Sequence, residues 1–429
     1  MRLTHRHVGG ALAAAGLGLL LLQPPAHAIP AFARKYQVNC YLCHTIFPRL
    51  NKMGYLFKRN GYRLPPKPVE GKPAPRVREV DAALPWRPRT AMALYGVAEY
   101  ESIASGAPGA ASSESVTDLD TLAFLSAGPI PGTGFSYLAK YVFYYEGGER
   151  EVGAADLTYT WGRADRSFFV KAGKMYLLQG EGFRGSDPRG VFPWAPLALS
   201  ASDPAAFSLD QNPVGLAGGA TWTTPGYRGV FGLSGKVTLG LDEKGEPVNR
   251  PGGTGHRDLF LEADYLFGND NGVSAFYYRG RKPVLAGEDS PAPFRYDSTE
   301  ERWGLFANRL IFSQLDLSAG YVGGRAGWRA SAADPVGHYT TRSLFGEASY
   351  YPEAWRGLVL SARVEGLRER CDGWPGTVET RAWSVSAQRA LLRFGDLAVR
   401  ASYRDAHRDD PASGVTVERR FRLDLRVAW

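Results

Sequence analysis

The residues best equipped for chemistry are Cys40-Tyr41-Leu42-Cys43-His44, a C-x-x-C-H pentapeptide near the start of the chain. Two cysteines with two residues between them, followed at once by a histidine, form the attachment pattern of a c-type haem. Cys40 and Cys43 would make thioethers to the vinyl groups of one porphyrin, and His44 would hold the iron as its proximal ligand. The competing readings are half a zinc site and a redox dithiol. Zinc needs a second pair of Cys or His ligands, and the one remaining cysteine, Cys371, is distant and alone. A dithiol expects a βαβ setting, whereas the residues after His44 are basic and broken by proline. One covalent haem c is therefore the expected cofactor. For the sixth iron position Met53 is the nearest candidate, and a Met/His pair would raise the potential. The chain would have to turn sharply to bring Met53 across the ring, and a role in a helix core suits it equally. Met92 and Met175 fall in expected strands and could reach the iron only from lumen-facing positions. His256, His338 and His407 fall in expected loops and are weaker candidates.

Several elements must position this motif. Arg2, His5 and Arg6, the apolar run Val8 to Leu22, and Ala26-His27-Ala28 make a secretory signal over residues 1–28. The alternative, a membrane anchor, needs a longer apolar stretch. Residues 29–64 form the haem segment, in which Leu50, Met53 and Phe57 recur at helical spacing, so a short amphipathic helix is expected from near Pro48 to Gly61. So short a segment cannot bury a haem unaided, and it must lean on something larger. Residues 65–88 hold seven prolines, at 65, 66, 68, 73, 75, 85 and 88, and read as an extended linker.

The run PAFARKYQVNCYLCHTIFPRLNKMGYLFKRNGYR, residues 30–63, resembles the head of the fused monohaem cytochrome–porins of the bacterial outer membrane, whose best-known members are iron oxidases. That resemblance implies that Cys40 and Cys43 carry the haem, that His44 ligates its iron, and that a small haem domain plugs a porin-type barrel. It also implies ferrous iron as the extracellular electron donor.

The rest of the chain suits a barrel. The protein has 429 residues, with 51 Gly, 10 Trp, 22 Tyr and 21 Phe but only 3 Cys and 4 Met, a profile of turns and interfacial aromatics. From Arg89 to Trp429 the sequence repeats segments of alternating apolar and polar residues, clearest in the last one. There Phe421, Leu423, Leu425, Val427 and Trp429 share one face, and Arg422, Asp424 and Arg426 the other. About sixteen such segments are expected to make an antiparallel transmembrane β-barrel, with short periplasmic turns and longer loops outside. The longer loops are placed at 101–117, 177–213, 242–256, 282–300, 326–341 and 406–416. The longest, 177–213, either folds into the lumen or lies on the surface. Charged residues on the inward faces, among them Glu262, Asp264, Asp316, Glu347, Arg363, Glu365, Arg400 and Arg404, read as a mixed-sign network filling a wet interior. A selectivity filter or a docking surface for the plug is the sharper alternative.

Net charge of +8 without a basic run argues against nucleic acid as a partner. No nucleophile, phosphate loop or acid–base pair stands out, and any enzyme activity would be that of an oxidoreductase. The expected function is an outer-membrane electron conduit between an extracellular reductant such as Fe(II) and a soluble periplasmic cytochrome or other carrier, with outer-membrane lipid around the barrel and the haem domain periplasmic or inside the lumen. The alternative is a redox-gated or haem-plugged solute porin, and a third reading is a periplasmic sensor or carrier tethered to a barrel.

Overall fold

In a bilayer every backbone N–H and C=O must be paired within the protein, so a chain that crosses with strands has to close them into a ring. The computed structural model describes residues 32, 35–36, 38, 42–46, 49–65, 91–107, 112–145, 149–163, 165–177, 192–199, 213–239, 257–268, 271–285, 295–328, 337–355, 357–391 and 397–428. A small hairpin of β1 (His44–Ile46) and β2 (Arg49–Leu50) leads into helix α1 (Lys52–Arg59). The barrel strands follow: β3 (Ala91–Gly106), β4 (Ser112–Pro129), β5 (Phe135–Tyr145), β6 (Glu149–Gly162), β7 (Arg166–Lys174), β8 (Val214–Thr223), β9 (Gly229–Leu239), β10 (Arg257–Phe267), β11 (Asn271–Leu285), β12 (Arg295–Ile311), β13 (Leu315–Trp328), β14 (Gly337–Tyr350), β15 (Leu358–Cys371), β16 (Val378–Ala390), β17 (Leu397–Asp410) and β18 (Gly414–Ala428). Each pairs antiparallel with the next, and β18 returns to β3 from Val417↔Gly106 to Ala428↔Tyr95, which closes the barrel. All sixteen strands coincide with the sixteen alternating segments of the sequence.

The alternation sorts the faces as the pleat requires. On β15, Val364 is 63% exposed to the outside while its neighbour Arg363 is 1% exposed inside. The final strand behaves as expected, with Leu425 and Val427 outward and Arg422 and Asp424 buried inward. Such an apolar exterior is stable only against hydrocarbon. At the short-turn end Phe135, Trp161, Tyr265, Phe267, Tyr350 and Trp355 are exposed on the rim, and Tyr159, Trp161 and Phe168 stack in sequence with centroids 5.7 Å apart. Amphipathic rings at this level form the aromatic girdle of a membrane–water interface.

The long-loop side differs from expectation. β3 and β4 run to Gly106 and from Ser112, and β17 and β18 to Asp410 and from Gly414, so most of the expected loops 101–117 and 406–416 are strand. The ladder outlives the alternation because both faces meet water beyond the lipid, and nothing there selects apolar residues on one side. For the same reason His338 and His407 lie on β14 and β17 rather than in loops. Cys371 closes β15 as a buried free thiol. Residues 1–28, the linker from 66 to 88, His256 and Trp429 lie outside the described residues.

Val364 sits near the middle of β15 on the lipid face. Val364→Arg should therefore destabilise the barrel by about 2–4 kcal/mol, and Val364→Leu by little, as read from urea titration of folding in phospholipid vesicles.

Candidate functional site

The described part of residues 32–65 runs inside the barrel at its short-turn end, and the helix within it is set by its own cap. Asn51 is extended (φ −86°, ψ −177°) and its side chain accepts from the Gly54 N–H at 2.9 Å, the arrangement of an N-cap. Helix α1 consequently starts at Lys52, after β2, rather than at Pro48. It ends where Gly61 and Tyr62 turn to positive φ (65° and 61°), and Lys58 and Arg59 sit in its last turn, where cations complement the helix dipole. The helix is buried on two sides. Tyr55 and Leu56 pack on Val230 and Leu266 of the barrel wall. Phe57 and Tyr62 pack on Ala127 and Leu138 of the wall and on Phe32, Tyr36 and Cys43 of the segment itself.

Polar contacts fasten this segment to strands around much of the wall. Arg49 pairs with Asp316 of β13 and with Glu347 of β14, the latter at 3.2 Å. The Tyr55 hydroxyl donates to Asp264 of β10 at 3.0 Å. Burial pushes this phenol well above its usual range, with Arg59 opposing and Asp264 reinforcing, so it keeps its proton for the bond. Arg59 donates to Thr221 of β8 at 2.9 Å and to the Leu233 carbonyl of β9 at 2.8 Å. Its guanidinium also lies 5.2 Å from the ring centroids of both Tyr55 and Phe169. Arg63, 1% exposed, donates to the carbonyls of Thr133 and Phe135 at 3.0 and 2.8 Å. Opposite the helix, a Cβ added at Gly232 would fall 1.9 Å from the Tyr55 oxygen and 3.2 Å from Arg59 Cζ. The wall is hollowed where the helix lies.

Cys43 belongs to this packing. Its carbonyl accepts from the Asn51 N–H at 3.0 Å, and a Cβ at Gly54 would sit 2.1 Å from that same oxygen, so the end of the motif is pressed onto the first turn of α1. His44 opens β1, opposite Leu50, and Met53 is half-buried in the first turn of α1. Cys40 lies outside the described residues. Around Cys43 the aromatic rings of Phe32, Phe57 and Tyr62 have centroids 5.0 to 5.9 Å apart, with Phe32 stacked on Tyr62 and Phe57 edge-on to both, an apolar environment of the kind a porphyrin requires. The chemistry of the donor set and its surroundings thus suits a haem. Among the other methionines, Met92 faces lipid at 49% exposure, and Met175 packs on Phe169 and Ala217 at the end of β7.

A second piece of chain also enters the lumen. Of the long loop 177–213, residues 192–199 are described, and Phe192, Trp194, Ala198 and Leu199 are all buried. Trp194 Nε1 donates to Glu101 at 3.3 Å, the Trp194 carbonyl accepts from Arg363 at 3.0 Å, and the Leu197 N–H donates to Glu365 at 2.6 Å. The inward alternative for this loop is the one observed for these residues. Three sets among the described lumen charges have distinct partners. Asp264, Asp316 and Glu347 hold the N-terminal segment, Arg363 and Glu365 hold the loop, and Arg400, Arg422 and Asp424 pair along the wall with Glu99. Arg49, Arg59, Arg63 and Gly232 are the site residues that sequence reasoning missed. Their one legible trace was the run of carboxylates at inward positions, which need cations from somewhere.

A closed ring of sixteen antiparallel strands, apolar outside and charged within, with an inward loop after β7, decides the architecture. The fold is that of a porin. It is similar to OmpT of Vibrio cholerae in its trimer form, at 11% identity and a TM-score of 0.54 over 80% of this chain and 100% of that one. It is also similar to the anion-selective porin of Comamonas acidovorans, at 12% identity and 0.51 over 79% and 100%, and to Salmonella typhi OmpF in complex with daunomycin, at 13% and 0.52 over 80% and 98%. No protein-family model and no curated protein matches the sequence.

If Arg59 is the main fastening on this porin wall, Arg59→Met should loosen α1 while the barrel stays intact. Losing bonds to a buried charged donor corresponds to about 1.5–3 kcal/mol. Amide exchange across Lys52–Arg59 should speed up by roughly ten-fold or more, with the strand amides unchanged.

Proposed function

We propose that the protein is a bacterial outer-membrane porin held nearly shut from the periplasmic side by its own N-terminal segment, which carries one haem c on Cys40, Cys43 and His44. The observation that carries the occlusion is the hollow at Gly232, into which Tyr55 and Arg59 fit. A wall glycine whose added Cβ would collide with the helix favours this occupant. The periplasmic assignment rests on turn length, since porin-type barrels keep their short turns on that side. A haem held beside Cys43 would supply one-electron exchange at its iron, with a potential set by axial ligand and burial. The chain's own part is to hold Phe32, Phe57 and Tyr62 against Cys43, with Arg59 and Arg63 fixing that cluster inside the barrel. In this reading the oxidation state of the segment controls a solute path.

One observation favours a second reading, the electron conduit: the packing of Cys43 into an aromatic cluster inside the lumen. In that reading a group held beside Cys43 is shielded from lipid by the barrel wall and exchanges electrons with an extracellular donor such as Fe(II) and a soluble periplasmic cytochrome. The axial partner would then be Met53 or a residue outside the described set.

Two outcomes test these readings. Gly232→Val should raise the planar-bilayer conductance of the mature protein several-fold by displacing α1, and a conductance as low as wild type with α1 no longer protected would contradict the occlusion. Cys43→Ala should lower covalent haem content sharply, read by intact mass and by the haem absorbance of the denatured protein. A wild-type protein without covalently bound haem would remove both the redox control and the conduit.

A further inference from the structure

Two separate pieces of chain enter the lumen, and one carboxylate touches the fastening of each. Glu347 is 4% exposed on β14. It receives Arg49 of the N-terminal segment on Oε1 at 3.2 Å. On Oε2 it receives Arg363 of β15 at 3.1 Å from Nε and 3.0 Å from a terminal nitrogen. Arg363 in turn donates its other terminal nitrogen to the Trp194 carbonyl and lies 4.3 Å from the centroid of the Phe192 ring. It is therefore a fastening of the inward loop. Asp316, 1% exposed, takes the remaining end of Arg49. Arg49, Arg363, Asp316 and Glu347 thus form a neutral group of four buried charges, in which the cations serve different occluding elements.

Neutrality is what links them. Leaving a buried carboxylate without its cation is far more costly than the pair was favourable. When Arg49 withdraws, the remaining three charges sum to minus one. The Arg363 guanidinium is then drawn toward the two carboxylates and away from the Trp194 carbonyl and the Phe192 ring. When the loop withdraws, Arg363 loses the Trp194 carbonyl and the Phe192 ring, turns fully onto the carboxylates and competes with Arg49 for them. We propose that Glu347 couples the two elements, so that release of the N-terminal segment loosens the inward loop and release of the loop loosens the segment. This inference rests on the occlusion reading above and adds to it a concerted opening of two obstructions.

Thermodynamic coupling is reciprocal, which gives the test its form. Amide exchange by mass spectrometry is read on residues 52–59 and 192–199 of the mature full-length protein, in Arg49→Met, Phe192→Ala and Arg49→Lys variants, with the exchange of β10 to β12 confirming a folded barrel. Arg49→Met should speed exchange at 192–199 by about five-fold or more, and Phe192→Ala, which frees the loop while keeping Arg363, should do the same at 52–59. Arg49→Lys, which keeps the charge, should restore slow exchange in both. Faster exchange at 52–59 in Arg49→Met with no change at 192–199 would overturn the coupling and leave the occlusion standing. No change in either segment in either variant, together with a wild-type conductance of open-porin size, would overturn the occlusion and the coupling with it.

Discussion

A strand edge cannot face hydrocarbon, so the pairing of β18 with β3 is the constraint on which this protein depends. Closing that seam satisfies the last row of backbone groups. It also separates two environments, and the side chains follow. Outward positions carry the apolar band and inward positions are left to polar groups. A wide barrel lined this way is a water-filled channel unless something occupies it. The charged interior is a consequence of closure, and it makes occupation by further chain possible.

Two pieces of this chain use that interior, and both are held by charge. Arg49, Arg59 and Arg63 reach carboxylates, hydroxyls and carbonyls on the wall, while Arg363 and Glu365 hold the loop at Trp194 and Leu197. Arginine suits this role because its planar fork meets several acceptors at once and stays charged when buried. Gly232 and Gly54 supply the space, one in the wall for Tyr55 and one in the helix for the Cys43 carbonyl. Cys43 therefore lies in a segment that packs on its own aromatic cluster and is fastened to the barrel wall by charge.

How much of this was legible in the sequence follows from which interactions are local. Strand alternation is local, and it located all sixteen strands, because lipid on one side and water on the other select residues at a period of two. The ends of β3, β4, β17 and β18 were missed because that selection stops at the membrane surface while hydrogen bonding continues. The C-x-x-C-H motif is local too, and so is its following helix, apart from the start that Asn51 sets. The fastening of the segment was not legible, since Arg49 meets Asp316 and Glu347 only through closure of the barrel. Nothing near Arg49 announces either partner. The carboxylates themselves were visible at inward positions; the mixed network describes Arg400, Arg422 and Asp424, while the alternative, a docking surface, describes Asp264, Asp316 and Glu347, which bond the N-terminal segment.

Single-channel conductance in planar bilayers of the mature protein, against the same protein lacking residues 29–64, tests the central claim most directly. The account predicts a nearly closed full-length barrel and a deletion variant with steps of open-porin size. Full-length protein that conducts as freely as the deletion variant would show that the segment does not obstruct the lumen, and would contradict it.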